Sequence, residues 1–357
     1  LNEIKGITNG ERIRLSRSFG TAADVYAADT RAISGVIGPE KAAIIAKAGL
    51  AAGDIEGNGP LAEQYKRLEA SGITFRSIEH IRYPGRLREI VSAPYGIFTI
   101  GALPDEKAPT VAIVGSRRAT AYGSGVAREL GRALGALNIP VISGMARGID
   151  SITQESVLEA GGYTMAVLGN GVDICYPGEK VGLYRNLRRE GCLLSELSPG
   201  TRPNPRFFPA RNRIISGLAD KVVVIEAGKK SGSLITADMA LDQGRDVFAV
   251  PGRVMDVQSA GCNKLIQEGA DVFTSVDYFL ETLRISASVR CQNPPLEKKI
   301  LAPDEDLVYA CLDLYAKNLT KLEEETGRGA VELTRVLTML ELKGLAVQTV
   351  KGYYIRS

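Results

Sequence analysis

Six short, mostly apolar runs punctuate the middle of the chain: Val111–Val114, Pro140–Ser143, Thr164–Leu168, Leu193–Glu196, Val222–Ile225 and Val247–Val250. Helical patterns separate them. A strand with one wet face alternates apolar and polar residues, so runs that are apolar at nearly every position have both faces covered. Strands covered twice and interleaved with helices build a doubly wound, mostly parallel sheet that takes its ligands off the carboxyl ends of the strands. The expected fold class is therefore α/β.

The flanks read differently. Residues 1 to about 75 show no strand alternation and resolve into short helical patterns, among them Thr21–Tyr26, Gly38–Ala46 and Leu61–Ala70. Pro39 suits a first helical turn, where its missing N–H is not needed. Residues 286–304, with Asn293-Pro294-Pro295 and Ala302-Pro303, read as a linker. Helical patterns at Glu305–Tyr315, Leu319–Thr326 and Ala330–Leu342 follow, then Ala346–Val350, a Lys351-Gly352 turn and Tyr353–Ile355. Three helices and a hairpin form a winged-helix layout. The division expected is a helical unit over 1–74, a sheet domain over 75–285, the linker, and a winged helix over 305–357.

Composition removes whole classes of chemistry. One histidine, His80, in 357 residues leaves a Ser-His-Asp or Cys-His mechanism a single place for its base, and zinc sites lean on clustered His and Cys. A surface loop position is the plainer reading of His80. Cys175, Cys192, Cys262, Cys291 and Cys311 are odd in number and widely spaced, with no Cys-x-x-Cys, which speaks against a disulfide framework or a metal knuckle. The longest uncharged stretch, Ile90–Pro104, is shorter than the roughly 18 residues of a membrane span and holds two prolines. No signal-peptide pattern is read from Leu1 onward. We expect a cytoplasmic protein with no metal, no cofactor, no catalytic residue and no membrane partner.

Four strand ends carry turns suited to phosphate. The first is Gly115-Ser116-Arg117-Arg118, the second Gly144-Met145-Ala146-Arg147-Gly148, the third Glu226 through Gly228, Lys229, Lys230, Ser231, Gly232 and Ser233, and the fourth Pro251-Gly252-Arg253. Glycine lets the backbone approach a ligand closely, and N–H groups at the following helix start attract anions. Each turn also holds Arg or Lys. None matches Gly-x-Gly-x-x-Gly or Gly-x-x-x-x-Gly-Lys-Ser/Thr, which weakens dinucleotide and P-loop readings. Asp150, Glu226 and Asp238 could serve as acid or base, with helix capping or ion pairing as the plainer roles.

The segment Thr201–Arg213 holds Arg202, Arg206, Arg211 and Arg213 with no acid, Asn212, and the adjacent rings Phe207 and Phe208 in a proline-stiffened loop. Arginine offers forked donors to phosphate, and an aromatic ring stacks on a base of any identity. A groove of Arg117, Arg147, Arg211, Arg213 and Lys230 with Phe208 as stacking platform points to single-stranded nucleic acid. One of the two rings could instead plug the core. Charge agrees, since residues 111–213 carry 13 Lys and Arg against 8 Asp and Glu, whereas 305–357 carry 7 against 8. The latter unit looks like a protein-interaction module.

VAIVGSRRAT, VISGMARGID, AVLGNGVDICYP, LLSELSPGT, FFPARNRIISGLAD, VVVIEAGKKSGSLITADMALDQGRDVFAVPG and GCNKLIQEGA occur in order between Val111 and Ala270. This stretch resembles the DNA-processing protein A (DprA, Smf) family. The resemblance implies an extended Rossmann domain that binds single-stranded DNA, a sterile-alpha-motif-like or helix-hairpin-helix-like N-terminal region, and a homodimer. It also implies loading of the RecA recombinase and protection of incoming strands during natural transformation. Carried over, Arg117 is the main phosphate contact, Phe208 stacks a base, and Gly144, Arg147, Gly148, Ser231, Gly232 and Ser233 line the pocket. Asn263, Ile266 and Val272 fall in the dimer and recombinase-contact region. Ile33–Gly38 is one residue too long between its glycines for a helix-hairpin-helix turn. The alternative is a nucleotide-binding Rossmann enzyme of phosphoribohydrolase type, although its Pro-Gly-Gly-x-Gly-Thr stretch is not found; a scaffold acting through the winged helix is a third reading.

Overall fold

The computed structural model of the protein describes residues 1–52, 60–283, 301–313, 316–350 and 352–356. Among the described residues five helices open the chain: α1 (Asn9–Phe19), α2 (Ala22–Ala27), α3 (Thr30–Ile37), α4 (Pro39–Ala52) and α5 (Pro60–Ala70). Thr8 with Glu11 and Thr21 with Asp24 form capping boxes that start α1 and α2, each satisfying backbone N–H groups that a helix start leaves bare. The Ile33–Gly38 segment lies in α3 and its cap, and Pro39 opens α4 as its ring favours. Leu15, Val25, Ile33, Ala42 and Ile45 make a small core of their own.

The central unit alternates strand and helix. In chain order it runs β1 (Ile73–Ser77), α6 (Gly85–Arg88), β2 (Gly96–Gly101), β3 (Val111–Val114), α7 (Ala121–Ala136), β4 (Val141–Ser143), α8 (Ile149–Glu159) and β5 (Thr164–Val167). It continues with α9 (Val181–Glu190), β6 (Cys192–Ser195), α10 (Phe207–Leu218), β7 (Lys221–Val224), α11 (Gly232–Asp242), β8 (Asp246–Ala249), α12 (Ala260–Gln267), β9 (Asp271–Val272) and α13 (Val276–Thr282). The nine strands lie in the order β1-β2-β6-β5-β4-β3-β7-β8-β9. From β6 to β9 neighbours are parallel, while β2 pairs antiparallel with both β1 and β6. The fold is thus α/β with a mostly parallel, Rossmann-like sheet.

Each of the six apolar runs holds all or most of a strand, and every residue in them but Glu196 is buried. One layer packs Ala112, Val114, Ile142 and Val224 against α10 residues Ile214, Ile215 and Leu218; the other packs Ile113, Val141 and Val223 against α7 residues Leu130 and Leu134. Burying each such side chain contributes about 1.5–3 kcal/mol before conformational entropy is charged. Chain order in the sheet reverses between β3 and β7, and at such a switch point the connections leave in opposite directions and open a crevice at the carboxyl ends.

The last described unit contains α14 (Pro303–Cys311), β10 (Lys317–Asn318), α15 (Leu319–Thr326), α16 (Ala330–Leu342), β11 (Ala346–Val350) and β12 (Tyr353–Arg356). Its sheet has the order β10-β12-β11 and its core holds Val308, Leu322, Leu333, Val336, Leu337 and Leu340. The first helix starts at Pro303, inside the span expected as linker, because Pro suits N1 and Glu305 reaches back to the Ala302 N–H at 3.0 Å. Most of the expected linker, 286–300, and Tyr315 lie outside the described residues. No described helix is long and apolar enough to cross a membrane.

Candidate functional site

Strands β3 and β7 end side by side, Val114 opposite Val224, and their exit turns meet at the switch point. Gly115 and buried Ser116 leave β3, and the Ser116 hydroxyl accepts the Arg118 N–H at 3.0 Å. The Ser116 carbonyl accepts the Ile149 N–H at 3.1 Å, tying this turn to the start of α8. Gly148 makes the contact possible: its φ is +74°, and a Cβ there would stand 2.2 Å from the Ser116 oxygen. The first two turns predicted from sequence are therefore one bonded unit, with Arg117 and Arg118 exposed at its rim.

Behind that rim the structure corrects the sequence expectation for Arg211. The residue is 5% exposed, and its guanidinium passes so close beneath Gly144 that a Cβ would lie 2.1 Å from Nη1 and donates to the Val167 carbonyl. Burial pulls its pKa down to about 10, against the opposing pull of Asp150. Asp150 is itself buried, accepts the Gly144 N–H at 3.1 Å, and has its pKa raised by desolvation. Arg211 faces inward because it shares a helical stripe with Ile214, Ile215 and Leu218. It braces the second turn and the end of β5 from below, out of reach of a ligand.

Two more of the expected cations are engaged. Arg213 pairs with Glu196, both about four-fifths or more covered, so it ties α10 to the segment after β6 and does not line the groove. Arg147 pairs with Glu179 at the surface. Arg117, Arg118, Arg206 and Lys230, by contrast, are exposed and form no ion pair among the described residues. Asn212 donates to the Gly232 carbonyl at 3.2 Å, which locks α10 to the third turn. There Ser231 caps α11, and its Oγ lies 2.7 Å from that of buried Ser233. Glu226, 3% exposed, accepts the Thr120 N–H at 3.0 Å and the Thr120 hydroxyl, so it holds the start of α7. Neither it nor Asp150 is presented as an acid or base.

The aromatic part of the site contains a residue that the sequence reading missed. Phe208 stacks on Tyr176 with ring centroids 5.5 Å apart and planes 28° from parallel, and the Arg117 guanidinium sits 5.6 Å from the Phe208 centroid. Tyr176 is 42% exposed. It lies in the loop after β5, so only the fold brings it beside α10; the available signal was an aromatic next to Pro177 in a glycine-rich turn.

At the far edge, part-buried Asn263 is held in a two-way bond with the Gly252 backbone, at 3.0 and 3.2 Å. Ile266 packs partly into the sheet core, and Val272 lies 36% exposed on the edge strand β9.

A family model described as DNA recombination-mediator protein A matches residues 74–284, the span of the sheet unit. The chain belongs to this family. DNA processing protein DprA of Streptococcus pneumoniae is 44% identical to it over 195 residues, 54% of this chain and 68% of that protein. The X-ray structure of DprA from the same species matches at 35% identity and TM-score 0.69, covering 78% of this chain and 95% of that one. DNA processing protein A from Helicobacter pylori, a structure described by its single-stranded DNA binding mode, matches at 28% identity and TM-score 0.54, covering 59% of this chain and 96% of that one. The recombination-mediator family is not a class of enzymes.

Proposed function

We propose that this family member binds single-stranded DNA along the carboxyl edge of its parallel sheet. The observation that carries the reading is the Tyr176–Phe208–Arg117 stack, which joins the loop after β5 to the turn that leaves β3. Bases of a single strand are free to lie on an aromatic face, whereas those of a duplex are already stacked. Arg117 is then within reach of the phosphate belonging to a base held on Phe208. Arg118, Arg206 and Lys230 supply further charge, and the backbone amides of Arg117 and Gly148 supply uncharged donors. Gly144, Arg211 and Asn212 shape the site from within.

The finer reading rests on family membership. The protein protects incoming strands during natural transformation, loads RecA onto them, and works in the cytoplasm as a homodimer. Strand β9, an open sheet edge bearing Val272 beside partly buried Ile266, fits the dimer and recombinase contact. Residues 1–74 act as a helical domain, 75–285 as the binding domain, and 305–357 as a winged helix that meets protein rather than DNA. Fluorescence anisotropy with oligo-dT, duplex DNA and mononucleotides at two salt concentrations tests the reading. Oligo-dT binds best and loses affinity steeply with salt; equal binding of mononucleotides, with release of free base, supports the enzyme alternative instead.

A further inference from the structure

The loop after β8 turns apolar residues to solvent. Val254, Met255 and Val257 are 87%, 90% and 77% exposed, and no other stretch of four residues among those described exposes three large apolar side chains. Single exposed apolar residues are ordinary, but a cluster of them marks a contact site.

The loop is tied down at both ends. Tyr122 donates its hydroxyl to the Pro251 carbonyl at 3.0 Å, and Asn263 bonds the Gly252 backbone in both directions. Gly252 permits this close packing, since a Cβ there would lie 2.0 Å from the Ser259 Oγ. Inside the loop the Asp256 N–H donates to the Arg253 carbonyl, and the Ser259 N–H to the Asp256 carbonyl, both at 3.0 Å. The Ala227 N–H donates to the Gln258 carbonyl at 2.8 Å, which joins the loop to the turn that leaves β7.

Sheet order decides what lies beside it. Strands along the carboxyl edge run β5-β4-β3-β7-β8, so the loops that leave β5, β3, β7 and β8 present Tyr176, then Arg117, then Lys229 and Lys230, then Val254 and Met255. Neighbouring strands lie about 4.8 Å apart, so β5 to β8 spans roughly 20 Å, room for several nucleotides. Lys229 and Lys230 are exposed and form no ion pair among the described residues. The loop itself holds one cation, Arg253, and one acid, Asp256, so the two lysines set the sign of the charge around it. Lysines beside apolar side chains match the make-up of a nucleic-acid strand, in which phosphates flank the apolar faces of bases. Val and Met accept a base of any identity, and the methionine sulfur makes a favourable contact with an aromatic ring.

We propose that Val254, Met255 and Val257 form a second base contact, where a single strand lies once it has passed Arg117, Lys229 and Lys230. The inference rests on single-stranded DNA binding at this edge and extends it from one base contact to two. The test uses the full chain carrying Val254→Ser and Met255→Ser together. Anisotropy is read with labelled oligo-dT of about 20 nucleotides, longer than common single-stranded footprints, and with an abasic strand of equal length that keeps the phosphates and lacks the bases. The double variant binds oligo-dT at least about fivefold more weakly than wild type, keeps the salt slope within about half a unit, and matches wild type on the abasic strand. Both positions are exposed, so the circular dichroism spectrum and unfolding midpoint stay at wild-type values. An equal loss on the abasic strand overturns the proposal, as does a fall in molecular mass by light scattering, which assigns the loop to a contact between copies of the chain. A double variant that binds oligo-dT as tightly as wild type removes this inference alone; a wild type that binds no oligo-dT removes the reading beneath it as well.

Discussion

The sheet's carboxyl edge and the unit over 303–356 both carry basic residues, yet they use them in opposite ways. In the terminal unit Arg335 meets Asp304, Lys343 meets Glu305, Arg328 meets Glu332, and Lys317 meets both Asp313 and Glu325. Arg356 lies 4.0 Å from the Tyr309 ring centroid. At the sheet edge Arg117, Arg118, Arg206 and Lys230 stand exposed and form no ion pair among the described residues. Exposed ion pairs add little stability, but each one cancels a local field that a phosphate would otherwise feel. What distinguishes a binding surface here is the pairing of its charges, not their number.

The largest effect expected from that contrast is on folding. Arg211 is the buried member of the edge, and Arg211→Ala leaves Asp150 without its electrostatic partner. The change should cost about 3–5 kcal/mol, read as a lower denaturant midpoint. An unchanged midpoint would mean that Arg211 is not the brace described above.

Phe208→Ala comes next. It removes the stacking platform and should weaken oligo-dT binding by about 1–3 kcal/mol while leaving the unfolding midpoint nearly unmoved. Tyr176→Ala should act in the same direction and less strongly, since Phe208 retains its Arg117 contact. If Tyr176→Ala has the larger effect, the platform is the tyrosine and Phe208 its support.

A smaller effect separates paired charge from free charge in the N-terminal helices. Glu11 is drawn down from 4.5 to about 2, chiefly by the Lys41 ammonium and then by the Thr8 N–H. Its folded pKa lies below its unfolded value, so its stabilisation is complete above about 4.5 and is lost as pH falls toward about 2. Glu11→Gln should therefore flatten the acid limb of the stability curve without changing oligo-dT binding at neutral pH. An acid limb as steep as wild type would assign that pH dependence to other carboxylates.

The same contrast explains what the sequence did and did not disclose. Six of the parallel strands were legible because burial on both faces leaves few polar residues to break the run. Strands β1 and β2 were not: Ile73–Ser77 mixes exposed Thr74 with buried Ile73, and Gly96–Gly101 hides inside the uncharged stretch Ile90–Pro104. Strand β9 has two residues and no period at all. Arg117 and Phe208 were legible as residue types in phosphate-favouring and stacking contexts. Arg211 was misplaced because charge was read before periodicity, although 211, 214, 215 and 218 trace one helical face. Tyr176 became visible only in three dimensions, since its partner is 32 residues away in sequence.

On the reading proposed here, unpaired arginines at the sheet edge, not paired ones elsewhere, hold the strand. Oligo-dT anisotropy across a salt series for Arg117→Ala and Arg335→Ala tests it most directly. Arg117→Ala should weaken binding about tenfold and reduce the salt slope by about one unit, while Arg335→Ala matches wild type in both. Equal losses from the two variants, or an unchanged slope in Arg117→Ala, would contradict it.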